Sequence, residues 1–354
     1  MPAKNNSVKL YLLTLLMTIG SLVTIGQQNE KVVKLVKKGT ELNDKGDYEA
    51  AIKKYDEALL LDKNDFDANY EKSLSCLSLK RYDECISISK FLVQTHADNP
   101  AITGVYCNYG SALDDKGQPE AGIKIYNDGI KRFPGSYLLY FNKGLTLGRM
   151  NQWDSAVACF FNAMRNKPTH AGSLYYTAYQ LADANKIAAL ISGLSFLAAE
   201  PEGKRAALIL KQVNAMINSL VQKDKNGKSV IATPMNDNKN KQNNFNKVQI
   251  ALAITGTSDN DSIKTKTDVE KLTLYVQALA GALSTEQSTG KGIYWVVYAP
   301  FWVEMNQKKL IPVYAHIASI TSGNEENIKW INANQDKLKS FYDWYNNYQW
   351  GKIK

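Results

Sequence analysis

Between residues 32 and 204 apolar and small residues return at helical spacing in short runs, broken by Gly, Asn or Pro at regular intervals. The plainest run reads Gly46-Asp47-Tyr48-Glu49-Ala50-Ala51-Ile52, then Tyr55, Ala58 and Leu59, then Leu61-Asp62-Lys63-Asn64. An apolar stripe at i, i+3 and i+4 marks one face of a helix, and Gly or Asn between two stripes marks a tight turn. The pattern therefore predicts pairs of short amphipathic helices. It also repeats, because Gly39 and Ser73 are 34 residues apart, as are Tyr48 and Tyr82, Ala51 and Cys85, Gly110 and Gly144, Gly117 and Asn151, Gly129 and Ala163, and Pro134 and Pro168. One slip of three residues, Pro100 to Ile102, separates the second unit from the third.

Units are assigned to 32–65, 66–99, 103–136 and 137–170, with a degenerate fifth at 171–204. The third is carried by Tyr106, Gly110, Leu113, Gly117, Tyr126, Gly129 and Pro134, the fourth by Tyr140, Gly144, Leu147, Trp153, Ala156, Phe160, Ala163 and Pro168. The fifth keeps Leu174, Ala178 and Leu181 but has Ile187 and Leu190 where an aromatic and a small residue stand elsewhere. A fixed period of this length is the signature of stacked helix pairs. Four consecutive units with this small-and-large pattern resemble the tetratricopeptide repeat family, as found in bacterial periplasmic scaffold proteins. The resemblance implies an all-α fold, a right-handed superhelix of helix-turn-helix repeats. It also implies a partner peptide or helix held on the concave wall lined by the first helix of each unit.

Stepping along the period reads that wall directly. One column is Val36, Tyr70, Cys107, Phe141 and Tyr175; four residues on, on the same helical face, lies Thr40, Leu74, Ser111, Leu145 and Tyr179. The candidate groove is Tyr70, Leu74, Asn108, Ser111, Phe141, Leu145, Tyr175 and Tyr179. Aromatics give large contact area at low entropic cost. Packing between repeats is the competing role for the same rings. Some family members grip acidic carboxyl termini through Lys and Asn on these columns; Val36 and Thr40 stand in those places here, which disfavours that ligand.

Residues 205–222 read as a capping helix, with Ala207, Leu208, Leu210, Val213, Ile217 and Leu220 on its apolar positions. Residues 223–247 are rich in Asn and Lys and read as a linker. From 248 to 354 a smaller, mostly helical domain is expected, without the period and without a family resemblance. Val248 to Ile254 alternates like a strand, although its Ala content also suits a helix. Thr267 and Glu270 form a capping box before a helix. Tyr294 to Trp302 is the densest apolar stretch of the later chain, suited to a core or, if exposed, to a contact surface.

The chain of 354 residues opens with Lys4 and Lys9, an uncharged apolar run from Leu10 to Gly26, and small residues before Gln27. That order is a secretory signal peptide over 1–26, so an exported protein, in a bacterial periplasm by default and envelope-associated, is expected, with no membrane span after cleavage. The net charge of +9 invites a nucleic-acid reading. It divides as +2 in the leader, +2 over 27–222 and +5 over 223–354, where the lysines crowd the linker. Neither the thin spread nor export favours nucleic acid, and a protein or peptide partner is expected.

Chemistry is sparse. His96, His170 and His316 are far apart, and no metal-ligand or phosphate-loop spacing occurs. No cofactor, metal or catalytic residue is assigned. Cys76, Cys85, Cys107 and Cys159 form no Cys-x-x-Cys pair; Cys76 and Cys85 fall on adjacent helices, where a bridge or two buried thiols would both fit. The function expected is a non-enzymatic interaction scaffold, the alternative a hydrolase or other enzyme carried by the C-terminal domain with the repeats as its docking module.

Overall fold

The computed structural model describes residues 28–223, 229–231, 245–257, 265–286 and 292–351. The expected leader, and most of the expected linker, lie outside the described residues. Helix α1 spans 28–44. It is followed by α2 (Tyr48–Leu61), α3 (Phe66–Ser78), α4 (Tyr82–Thr95), α5 (Ile102–Asp115), α6 (Pro119–Arg132), α7 (Tyr137–Arg149), α8 (Trp153–Asn166), α9 (Ala171–Gln180), α10 (Lys186–Ala199) and α11 (Gly203–Asn218). The odd-numbered members from α3 to α9 thus open within a residue of the period's unit starts. Each of the first four pairs turns through one left-handed residue, Gly46 (φ 80°), Lys80 (φ 61°), Gly117 (φ 87°) or Asn151 (φ 59°). Glycine reaches that conformation without a steric cost and other residues do not. The fifth pair lacks it, and Asn185 instead caps α10 by accepting from the Ala188 amide.

The chain divides into two compact units, 1–146 and 147–354, inside α7. In the first unit the repeats lock through size complementarity. Tyr55 and Tyr126 are fully buried, and a Cβ on Gly39 or Gly110 would overlap those rings. At the equivalent pair of the second repeat both residues are small, Ser73 and Ser89, and both are buried. Polar rungs join elements one period apart. Ser75 Oγ donates to Asn43 Oδ1 at 2.7 Å, Asn108 Nδ2 to Ser73 Oγ at 3.0 Å, and Thr146 Oγ1 to Asp114 Oδ2 at 2.6 Å. Ion pairs Arg81–Glu49, Lys116–Asp83 and Arg132–Asp98 repeat the spacing at the exposed surface, where each adds little.

The second unit continues with β1 (Val221–Lys223) and β2 (Ser229–Ile231), paired antiparallel. Then come α12 (Asn246–Thr257), α13 (Asp268–Glu286), a π-helical turn Tyr294–Tyr298, α14 (Ala299–Gln307), α15 (Ile311–Ala318), α16 (Glu325–Ala333) and α17 (Gln335–Asn347). The described residues are thus helical apart from this hairpin, whose strands stand where the linker was expected to begin. Val248 to Ile254 is helical, its Ala and Leu content outweighing the alternation.

The C-terminal helices share one core with the last repeats. One hydrophobic cluster runs from Met164 through α10, α11 and α13 to Phe341. Every residue of α10 from Ile187 to Ala198 is buried, which only a helix surrounded on all sides allows. The enclosing groups come from far along the chain. Tyr314 donates to the Leu194 carbonyl at 2.7 Å, Tyr298 to the Pro168 carbonyl at 2.8 Å, and Tyr294 shares a 2.7 Å hydrogen bond with Ser192. Helix α11 buries Ala206, Ile209, Leu210, Val213, Met216 and Ile217 on one face and exposes Lys204, Ala207, Leu208, Lys211 and Ala215 on the other, so it covers the core from one side. The Tyr294–Trp302 segment is core, with Phe301 ringed by Trp302, Trp344, Tyr345, Tyr348 and Trp350 at centroid distances of 4.7 to 6.0 Å. Among the described residues no helix is long and apolar enough to cross a membrane.

Candidate functional site

The wall residues of the first unit sit on α3, α5 and α7. Successive first helices are held side by side by the Asn108–Ser73 and Thr146–Asp114 rungs. Tyr70 is half-buried, stacked on Phe66 with ring centroids 6.0 Å apart and planes 10° from parallel. Its hydroxyl lies against Gly104 of the next first helix, where any side chain would collide with it. Leu74, Phe141 and Leu145 are half-buried as well. The third repeat breaks this row. Cys107 is only 7% exposed, and Ser111, half-buried, shares a 3.0 Å hydrogen bond with the Tyr126 hydroxyl.

Asn108 does not belong to the wall. It is 6% exposed and its amide is spent on Ser73, so it binds a neighbouring repeat rather than a ligand. The residue directly after a wall position turns 100° around the helix, here into the interface between first helices. Ser111 is also engaged internally, which leaves Tyr70, Leu74, Phe141 and Leu145 as the apolar surface of this unit.

In the second unit Tyr179 is 64% exposed, whereas Tyr175 packs. Tyr175 lies 5.7 Å from the Phe196 ring and 5.3 Å from Tyr176, with the Arg205 guanidinium 5.6 Å above it. Glu200 fixes that guanidinium through an ion pair.

Sequence reasoning missed a cavity of about 500 Å³ in the second unit, lined by Leu210, Thr267, Glu270, His316, Asn327 and Trp330 among others. The His316 ring lies flat on Trp330, 3.5 Å between centroids. Asn327 Nδ2 donates to the His316 carbonyl at 3.0 Å, which turns its Oδ1 toward His316 Nδ1 at 2.6 Å. Nδ1 therefore carries the proton and Nε2 is left as an acceptor. Burial holds this imidazole below its ordinary pKa, so it is neutral. No spacing signal marks it, because His316, Asn327 and Thr267 come from three helix ends.

All four cysteines are buried, and Cys76 and Cys85 are separate thiols rather than a bridge. Burial pushes the Cys76 and Cys107 thiols up to about 12 and Cys85 up to about 11, so they are protonated thiols and poor nucleophiles. Among the described residues no group of three or more His, Cys, Asp or Glu is placed to hold a metal ion.

Family models described as tetratricopeptide repeat match residues 36–84 and 103–135. No curated protein matches the chain. Among solved structures, a thermophilic TPR protein of Thermus thermophilus is 20% identical, over 53% of this chain and 99% of its own, with a TM-score of 0.43. YrrB, a TPR protein with an unusual peptide-binding site, is 19% identical over 54% and 97%, with a TM-score of 0.37. MamA of Desulfovibrio magneticus RS-1, residues 41 to the end, is 15% identical over 48% and 96%, with a TM-score of 0.39. The matched stretches coincide with the helix pairs, turns and small-large contacts of the first unit, which carries tetratricopeptide repeats, a protein-interaction module.

Proposed function

We propose that the protein is an exported, non-enzymatic scaffold of the cell envelope, a bacterial periplasm being its compartment, and that it holds an extended partner polypeptide on the first helices of its N-terminal unit. The observation that carries this reading is the row of apolar side chains left half-exposed there, Tyr70, Leu74, Phe141 and Leu145. Folding has not consumed this surface, although the equivalent faces of the second helices are sealed by Tyr55, Tyr126 and the small residues against them. Large apolar groups in a row on one wall are what a polypeptide partner buries. Export rests on the charged, apolar and small-residue order of residues 4–26.

The test pairs two substitutions on the wall with one off it. Leu74→Ala with Leu145→Ala removes contact area without opening the core, and is expected to weaken capture of the partner from an envelope fraction at least about tenfold, worth about 1.4 kcal/mol. Leu60→Ala, at a site 86% exposed on α2, is expected to change nothing. Equal capture by both variants contradicts the wall. Helicity by circular dichroism serves as the folding control.

A further inference from the structure

We propose that the segment held by the N-terminal unit is basic as well as apolar, its Lys or Arg side chain seated on Glu71 beside the Tyr70 and Leu74 surface. This rests on the wall reading above and specifies the partner's chemistry. Asp67, Tyr70, Glu71 and Leu74 stand at i, i+3, i+4 and i+7 of α3, one continuous stripe of the helix. Two carboxylates thus alternate with two apolar groups on the same face.

The charges on this stripe are uncompensated. Among the described residues no ion pair or hydrogen bond reaches the carboxylates of Glu71, Asp67 or Asp44. Glu71 is half-buried, and burial, then Asp67, then Asp44, all push its carboxyl above the ordinary range. The Tyr55 phenol, raised mainly by burial, also feels Glu71 and Asp44. The nearest lysine in sequence is already committed: Lys72 reaches Asp56 at 2.7 Å and Glu84 at 3.0 Å on another face of the helix. Like charges gathered at a partly desolvated site without a cation are unfavourable in the free protein. A cation delivered by a ligand relieves that repulsion, and a carboxylate delivered there compounds it. A segment that presents Leu or Phe to Tyr70 and Leu74 with a Lys or Arg between them satisfies both requirements. This is opposite in sign to the acidic carboxyl termini for which a lysine-bearing wall is suited.

The test uses the full chain and three fluorescein-labelled peptides of equal length, alternating Leu with Arg, Leu with Glu, and Ser with Arg, followed by fluorescence anisotropy. The Leu/Arg peptide is expected to bind saturably, at least about tenfold more tightly than either of the others. Glu71→Gln with Asp67→Asn is expected to weaken it about tenfold while helicity is retained, since removing like charges does not unfold a helix. Equal binding of Leu/Glu, equal binding of Ser/Arg, indifference to the double variant, or no binding at all would each overturn the proposal. If the Leu74/Leu145 variant loses its partner while these peptides behave alike, only the basic character falls. If both experiments fail, the wall falls with it.

Discussion

At Gly39, Gly104 and Gly110 the backbone of one helix touches an aromatic ring of a neighbour with no room for a methyl group. A methyl at Gly110 would meet Tyr126, a ring fully buried and bonded to Ser111, so neither partner can yield without disturbing the wall. Gly110→Ala is accordingly expected to lower the stability of the N-terminal unit by about 1 to 3 kcal/mol, the usual range for overpacking a tight core, read as a fall in the urea midpoint. An unchanged midpoint would show that the contact is softer than its geometry. Gly39 and Gly110 with their tyrosines were legible in the sequence, because the large and small members recur at a fixed offset, whereas the Gly104–Tyr70 contact was not. Asn108 was not, since one residue's step around a helix decides whether an amide faces a ligand or a neighbouring repeat, and the period alone does not resolve that step.

Among whole elements, the start of α9 carries a different liability. His170 caps it, Nδ1 accepting from the Ser173 amide at 3.3 Å and meeting the Ser173 hydroxyl at 2.8 Å. Burial first, then Lys167 and Arg205, lowers its pKa from 6.5 to about 4. A histidine whose folded pKa is depressed favours folding above its unfolded pKa, and that contribution is lost as the pH falls through the folded value. Stability of the second unit is therefore expected to decline by about 1 to 2 kcal/mol between pH 6.5 and 4 on this account, after allowance for partial exposure. His170→Asn, a cap of the kind Asn185 provides for α10, is expected to flatten that slope in denaturant titrations. An unaltered slope would assign the acid sensitivity elsewhere. The helix boundaries themselves followed from turns and stripes, but what α11 packs against did not. With Leu208 58% exposed and the opposite face apolar, its pattern is that of any surface helix. What covers it belongs to the same cluster as Tyr294 and Phe341 much later in the chain, and local periodicity carries no information about such partners.

For the molecule as a whole, the two compact units divide inside α7, ahead of the fifth repeat. Helix α10 is the reason. Its sequence is apolar on every side, a sign of complete burial, and the C-terminal helices supply the burial. The fifth repeat is therefore folded into the second unit's core, and the N-terminal unit is left with the open wall. The same consolidation makes the His316 cavity, assembled from the ends of α13, α15 and α16, invisible to spacing. Charge said little at this scale: a net +9 coexists with an uncompensated acidic stripe on α3, so the sign of the whole chain does not report the sign of its binding face.

The central claim is that a polypeptide lies along the first helices of the N-terminal unit, and site-specific photo-crosslinking in intact cells tests it most directly. A crosslinking amino acid placed at Leu74 or Leu145 is expected to yield one discrete adduct, identified by mass spectrometry as the same partner from both positions, while Leu60 yields none. Adducts from Leu60 alone, or none from the wall, would contradict it.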